Sequence, residues 1–264
     1  MAHQRAGDFD YETHGRGYTR QRRTDLRIAT YVHAALGTSR TVLNVGAGAG
    51  SYEPLDRFVL AVEPSAAMRG QRPARLAPAI IGVAENLPFD DQSVDASMAM
   101  LTAHQWSDLG KGLSELRRVT RGPVVVLTFD GTALDRFWLA DYVPELIVAE
   151  RRRCPAIHAI RTGLGGTSEV RPIPVPIDCI DGFTEAFYAR PERLLDPDVR
   201  LSQSGWSFVD DEVQKRFVRT LTDDLKSGAW DARYGQWRQW PSFEGSLRLI
   251  VDLPAVGEIS KILE

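Results

Sequence analysis

The sequence is poor in the features that mark specialised classes of protein. Only two of its 264 residues are cysteines, which excludes a disulfide framework. No apolar run approaches the roughly 18 residues that a bilayer span requires, and residues 1–7 lack the apolar stretch of a secretory signal. The charges nearly balance, with 32 Lys and Arg against 35 Asp and Glu, which argues against a broad basic face. We therefore expect a cytoplasmic globular protein that binds neither nucleic acid nor a membrane; its oligomeric state stays open.

Short apolar runs alternate with helical stretches through the first half of the chain. The runs lie at residues 41–46, 58–63, 79–84, 96–101 and 124–129. Unbroken apolar runs of this length are typical of strands buried on both faces, as in a parallel sheet covered by helices. The pattern predicts an α/β fold with a doubly wound, Rossmann-like sheet.

The second half is expected to complete this sheet. In residues 170–177 (VRPIPVPI) the prolines fall on alternate residues, so the missing N–H donors lie on one side of the chain. This arrangement predicts an edge strand or, alternatively, a polyproline segment, and residues 246–253 indicate a last strand. The expected divisions are an N-terminal tail or lid at 1–23, a cofactor-binding core at 24–130, and completion of the sheet at 131–264 with an acceptor-binding helical insertion at about 182–240.

A glycine-rich turn follows the first predicted strand. Residues 41–50 (TVLNVGAGAG) end with glycines at positions 46, 48 and 50, which let a ligand lie against bare backbone at the start of a helix. Glu63 ends the next strand, where a carboxylate can bind both hydroxyls of a ribose. Ser51 stands where a dinucleotide-binding turn has its third glycine. The spacing therefore favours a nucleoside ligand without a pyrophosphate.

Four stretches of the chain carry a combined signature. They are VLNVGAGAG (42–50), AVEPS (61–65), GVAENLPFDDQSVDASMAMLTAHQW (82–106) and ELRRVTRGPVVVLTFD (115–130). Together they resemble the class I S-adenosylmethionine-dependent methyltransferases, especially the small-molecule branch (methyltransferase type 11) that includes the ubiquinone and menaquinone C-methyltransferases. The resemblance implies S-adenosyl-L-methionine as cofactor. It also implies a seven-stranded sheet of order 3-2-1-4-5-7-6, with the last strand antiparallel and the helical insertion between strands 6 and 7.

The resemblance implies a contact for each part of the cofactor. The residues under the methionine and ribose moieties would be Gly46, Ala47 and Gly48. The residues at the ribose would be Glu63 and Pro64. The residues beside the adenine would be Ala84 and Glu85, and those that line the site at the fourth strand would be Leu101 and Thr102.

Four further positions complete the predicted site. The family usually has an acid where this chain has Asn44, and the loss of that charge would weaken the hold on the ammonium end of the cofactor. Near the N-terminus we expect a lid formed from Tyr11, Tyr18, Arg22, Arg23 and Arg27. Of these, Tyr18 is expected to face the sulfonium and Arg23 to meet the carboxylate of the cofactor, and a solvated basic tail is the alternative. His104, just past the fourth strand, is the candidate catalytic base, and a local packing role is the alternative.

The predicted function is methyl transfer from S-adenosylmethionine to an O, N or C atom of a small acceptor, apolar or aromatic in character. The acceptor pocket is expected in residues 131–245. Orientation of the acceptor can supply about 7–11 kcal/mol, so a base is not essential. A nicotinamide-dependent oxidoreductase on the same fold is one alternative, disfavoured by the glycine spacing, and a non-catalytic binding protein is another. The cysteines and histidines form no zinc-type pair, so no metal is expected.

Overall fold

The computed structural model describes residues 7–15 and 17–255, which form an α/β fold. The strands are β1 (Thr41–Val45), β2 (Phe58–Val62), β3 (Ala96–Met100), β4 (Val124–Phe129), β5 (Thr167–Pro172), β6 (Val175–Pro176), β7 (Ser242–Phe243) and β8 (Leu247–Leu253). The α-helices are α1 (Tyr11–His14), α2 (Tyr18–Gln21), α3 (Leu26–Ala35), α4 (Ala66–Arg69), α5 (Leu109–Val119), α6 (Leu139–Tyr142), α7 (Pro144–Arg153), α8 (Ile157–Leu164), α9 (Pro197–Leu201), α10 (Asp211–Ser227) and α11 (Ala229–Tyr234). Within these described ranges, no helix combines the length and apolarity needed to cross a membrane.

Six strands form the central sheet in the order β2-β1-β3-β4-β8-β5. β1 to β4 are parallel, and β8 runs antiparallel between β4 and β5. The order differs from the predicted 3-2-1-4-5-7-6 only in that strand 3 is missing, with β8 and β5 in the places of predicted strands 7 and 6. The predicted count of seven strands is wrong because residues 79–84 form no strand. Ile80 makes only an isolated bridge to Val62. The side chains of Ile80 and Ile81 are exposed, so this edge segment buries little apolar surface by pairing further.

The proline run lies at the opposite edge of the sheet. β5 pairs with β8, and Pro172 stands opposite Arg248 at the end of the ladder. The edge position is as predicted, but the strand begins at Thr167 and ends at Pro172 rather than spanning residues 170–177. β6 then leaves the central sheet and pairs with β7 in a two-stranded sheet. The helical insertion lies between β6 and β7.

Helices cover both faces of the central sheet. One face packs against α3 and the insertion, and Ile28, Leu127 and Trp138 belong to the same apolar core. The other face packs against α5 and α8, with Leu113 and Ile160 in a second core. Each fully buried side chain of this kind contributes about 1.5–3 kcal/mol. The two layers thus fix the carboxyl ends of β1, β2 and β3, where the candidate site lies.

A buried carboxylate joins the insertion to the last strand. Glu185 is 2% exposed and accepts hydrogen bonds from the backbone N (2.9 and 3.0 Å) and from Oγ (2.9 Å) of Ser246. Burial raises the pKa of Glu185 to about 7, although the bonds from Ser246 act in the opposite direction. The folded state therefore keeps a proton at pH values where the unfolded chain has lost it.

Glu185 should make the protein less stable as pH rises from about 4.5 to about 7. In this window the unfolded state binds fewer protons, so the free energy of unfolding falls with pH, by up to about 3 kcal/mol from this one group. Urea denaturation of the wild type and of Glu185→Gln across this range measures the effect, since the variant should lose this component of the slope. Glu212→Gln, at an exposed side chain, is the control. Identical slopes for all three proteins would contradict the prediction.

Candidate cofactor-binding site

The glycine-rich turn places bare backbone at the end of β1. Gly46 has φ +66° and Gly48 has φ +51°, a region that favours glycine. A Cβ atom on Gly46 would lie 2.1 Å from Oγ1 of Thr102, at the end of the neighbouring strand β3. The turn therefore packs directly on the β3 end, and its backbone is open to a ligand from the other side.

Glu63 holds this turn in place. Its Oε2 accepts a hydrogen bond from the backbone N of Gly48 (2.7 Å), and its Oε1 accepts one from the backbone N of Ser65 (2.9 Å). Burial raises the pKa of Glu63, while these two N–H groups favour the ionised form. Each carboxylate oxygen has a second lone pair. Glu63 can thus order the turn and also accept hydrogen bonds from a ligand.

A cavity of about 140 Å³ opens above these elements. Eleven of the twelve residues predicted to bind the cofactor line it: Tyr18, Asn44, Gly46, Ala47, Gly48, Glu63, Pro64, Ala84, Glu85, Leu101 and Thr102. Arg23, the twelfth, is exposed and is not among the lining residues. Its neighbour Arg22 is turned inward instead, onto Asp181.

Several lining residues were absent from the twelve residues predicted to bind the cofactor. They are Phe9, Asp10, Tyr11, Glu12, Ala49, Ser51, Ser65, Met68, Val83, Met100, Gln105, Trp106 and Ser107. Leu101 has φ +54°, a strained conformation for this residue type that recurs at functional sites. The aromatic residues of the tail could be suspected from the sequence, because they had no evident packing partner there. The backbone strain at Leu101 could not be predicted from the sequence.

The N-terminal segment (residues 7–15 and 17–23) forms one wall of the cavity. Phe9, Tyr11 and Tyr18 line it, and the Glu12 carboxylate accepts hydrogen bonds from the first backbone N–H groups of α4. Of the described residues that line the cavity, none lies between 131 and 245, where the acceptor pocket was expected. The insertion and α7 instead contact the outer side of this segment, for example through the ion pair of Arg153 with Asp8 (2.7 Å).

The structure does not bring His104 into the cavity wall. Its side chain belongs to the turn after β3, and neighbouring Gln105 and Trp106 line the cavity while His104 does not. Burial, followed by the nearby Arg153 guanidinium, lowers the pKa of His104 to about 3. A general base is most effective with a pKa near the working pH. Position and pKa therefore both argue against His104 as the catalytic base.

Asn44 lies within a buried polar group. Its Nδ2 donates to Oε1 of Glu53 (2.9 Å), and Glu53 is ion-paired with Arg72 (2.9 Å). The side chains of Glu53 and Arg72 are 0% and 5% exposed. The family usually has a carboxylate at position 44. In this chain a carboxylate, that of Glu53, is hydrogen-bonded to the side chain at position 44 instead.

This arrangement fits the predicted cofactor. Oδ1 of Asn44 is buried and has no hydrogen-bond partner among the described residues. Asn44 lines the cavity beside the glycine turn, where the resemblance places the methionine moiety of S-adenosylmethionine. An amide oxygen without a partner can accept from an ammonium group, and leaving it unpaired costs about 1–3 kcal/mol.

Asn44→Asp should destabilise the protein rather than restore a missing feature. The new carboxylate would face Glu53 across a hydrogen-bond distance in a buried site, and Arg72 can neutralise only one of them. We expect the free energy of unfolding at pH 7 to fall by about 2 kcal/mol. The double variant Asn44→Asp/Glu53→Gln should recover most of this loss, because only one carboxylate remains and the glutamine amide can donate a hydrogen bond to it. Urea denaturation tests both, and equal stability of Asn44→Asp and wild type would overturn the argument.

Comparison with known proteins identifies relatives for this site and fold. A family model described as a methyltransferase domain matches residues 43–126. Malonyl-[acyl-carrier protein] O-methyltransferase of Yersinia pestis is 36% identical over 98 residues, which are 34% of this chain and 36% of that protein. The match thus spans about a third of the length of this curated relative.

Solved structures extend the comparison to most of the chain. A possible histamine N-methyltransferase of Thermotoga maritima has a TM-score of 0.50 at 17% identity, covers 92% of this chain and 91% of that one, and shows the fold alone. A putative methyltransferase from an antibiotic biosynthesis pathway of Anabaena variabilis has a TM-score of 0.81 at 32% identity, over 88% of this chain and 98% of that one. Because this similarity spans nearly the whole relative, and the methyltransferase-domain match covers residues 43–126, the chain belongs to the class I S-adenosylmethionine-dependent methyltransferases.

Proposed function

We propose that this protein transfers the methyl group of S-adenosylmethionine to an O, N or C atom of a small acceptor with apolar or aromatic character. The observation that supports the acceptor class is that three aromatic side chains of the N-terminal segment, Phe9, Tyr11 and Tyr18, line the cavity. Rings of this kind bind flat apolar surface, and their π faces favour a neighbouring cation such as a sulfonium. The bound cofactor supplies a methyl group that is already activated for displacement.

The residues of this chain would act mainly by orientation. Glu63 would hold the ribose, Asn44 would accept from the ammonium group, and the bare backbone at Gly46 and Gly48 would let the cofactor lie close to the sheet. Tyr18 and the rest of the N-terminal segment would exclude water. Since His104 is a poor base, proximity and alignment, worth about 7–11 kcal/mol, would account for most of the acceleration.

Three measurements test this function. Calorimetric titration with S-adenosylhomocysteine should show binding at one site per chain. Methyl-labelled S-adenosylmethionine should then label members of a panel of hydroxylated aromatic, amine and polyene acceptors, with apolar ring compounds labelled faster than polar aliphatic ones. A larger thermal shift with NADPH than with S-adenosylmethionine would favour an oxidoreductase, and cofactor binding without labelling of any acceptor class would favour a binding protein.

A further inference from the structure

A single buried carboxylate connects the N-terminal segment to the chain just after the glycine turn. Asp181, in the loop after β6, is 1% exposed. Its Oδ1 accepts a hydrogen bond from Nε of Arg22 (2.6 Å), and its Oδ2 accepts one from the hydroxyl of Tyr52 (2.7 Å). Asp181 lies outside the cavity lining, so it can affect the cofactor only through the residues that it contacts.

Arg22 belongs to the N-terminal segment and supports Tyr18. Its guanidinium lies 5.2 Å from the centre of the Tyr18 ring, and Tyr18 lines the cavity. The next residue of the loop, Gly182, donates a backbone hydrogen bond to the carbonyl of Gln21 (2.9 Å). The loop at 181–182 therefore fixes the end of α2 by an ion pair and a backbone contact.

Tyr52 follows the glycine turn and is the neighbour of Ser51, which lines the cavity. It is 1% exposed and has φ +65°, an unusual conformation for a tyrosine. Its backbone N donates to Oγ1 of Thr24 (2.9 Å), and its carbonyl contacts the ring of His33 (3.0 Å). The Asp181 carboxylate thus joins the N-terminal segment to the residue that ends the glycine turn.

The charges explain why this contact favours one position of the segment. The Arg22 side chain is only 12% exposed when the segment is docked, and a buried guanidinium needs a countercharge. Without Asp181, the docked position would hold an uncompensated charge, whereas an undocked Arg22 would be solvated. Loss of the carboxylate therefore shifts the segment away from the cavity.

We propose that Asp181 is a positioning residue that keeps the N-terminal segment docked, so that the cofactor meets a site with Tyr18 already in place. The inference rests on the proposed cofactor site and extends it to a residue of the loop that leads into the helical insertion. The apparent dissociation constant of a ligand rises in proportion as the competent fraction of a protein falls. A shift of the segment should therefore appear directly in cofactor affinity.

Asp181→Asn should raise the dissociation constant of S-adenosylhomocysteine, measured by calorimetry, at least about tenfold. The asparagine keeps the shape of the side chain and can still bond to Arg22 and Tyr52, but it removes the charge. Asp178→Asn is a matched control three residues away, where the carboxylate and its partner Arg27 are 72% and 50% exposed. This control should bind like the wild type.

A double-mutant cycle separates positioning from general damage to the fold. If Asp181 acts through Arg22, Asp181→Asn should have no further effect on affinity in an Arg22→Gln background. A merely structural role would make the two effects add. Arg22→Gln alone also tests the pair if Asp181→Asn does not fold, since it should raise the dissociation constant by a similar factor.

Limited proteolysis reports the position of the segment directly. Arg20 and Arg23 are exposed trypsin sites on it, so Asp181→Asn should be cut there at least about fivefold faster than Asp178→Asn. Saturating S-adenosylhomocysteine should restore the slow rate. Unchanged affinity and unchanged cleavage in folded Asp181→Asn, or additive effects in the cycle, would overturn the inference. Absence of binding by the wild type would instead contradict the proposed cofactor site, and the cleavage rates would still decide whether Asp181 docks the segment.

Discussion

Glu63→Ala is expected to weaken S-adenosylhomocysteine binding at least about 100-fold. Glu63 bonds to the backbone N of Gly48 and of Ser65, so its removal frees the turn that contacts the ligand. It also removes the carboxylate proposed to bind the ribose. Hydrogen bonds to charged groups contribute about 1.5–3 kcal/mol each, and about 1.4 kcal/mol changes affinity tenfold. Calorimetry with the purified variant measures the loss.

The effect on binding should be far larger than the effect on stability. Burial raises the pKa of Glu63, which means that its ionised form is held at a cost in the folded protein. Removal of the carboxylate relieves that cost while it loses two hydrogen bonds, so the free energy of unfolding should change by no more than about 1 kcal/mol. Glu63→Gln, which keeps one acceptor oxygen, should lie between wild type and Glu63→Ala in affinity. Glu169→Ala, at an exposed edge-strand residue, controls for loss of charge. Affinity within threefold of wild type for Glu63→Ala would show that the ribose is not held here.

The glycine turn and the buried strands were predictable because local chemistry determines them. An unbroken apolar run such as residues 124–129 has few alternatives to a strand covered on both faces. Residues 79–84 are likewise an unbroken apolar run, yet Ile80 and Ile81 lie exposed at the sheet edge. Apolar composition alone does not say whether a segment has a neighbouring strand on both sides. The third predicted strand therefore could not be distinguished from a segment that makes only a single bridge.

Side-chain direction in the N-terminal segment could not be predicted for a different reason. Arg22 and Arg23 are adjacent and chemically identical, and only one of them can point inward from the end of α2. The choice depends on Asp181, a residue 159 positions away in the sequence. The low pKa of His104 likewise depends on Arg153 and on burial by segments distant in the chain. The pairing of Glu53, the partner of Asn44, with Arg72 also could not be predicted, because Arg72 lies after α4 in the chain.

Gly46→Ala should abolish measurable cofactor binding. An alanine at φ +66° costs about 1–2 kcal/mol, and its Cβ would also lie 2.1 Å from Oγ1 and 2.9 Å from Cβ and Cγ2 of Thr102. The end of β3 has little freedom to move, since Met98 and Ala99 are fully buried. The turn must therefore shift toward the cavity. This shift would occupy the space that a ligand packed against the backbone of the turn needs.

Gly165→Ala separates this steric effect from the cost of the backbone conformation. Gly165 has φ +74°, and a Cβ there would meet nothing within 4 Å. The control should lose about 1–2 kcal/mol of stability from φ alone and bind S-adenosylhomocysteine as the wild type does. Gly46→Ala should lose more stability than the control, because of the contact with Thr102, and should also lose binding. If the two variants instead behaved alike in both measurements, close approach of a ligand to the turn would not be the reason for glycine at position 46, and the cofactor would have to lie elsewhere in the cavity.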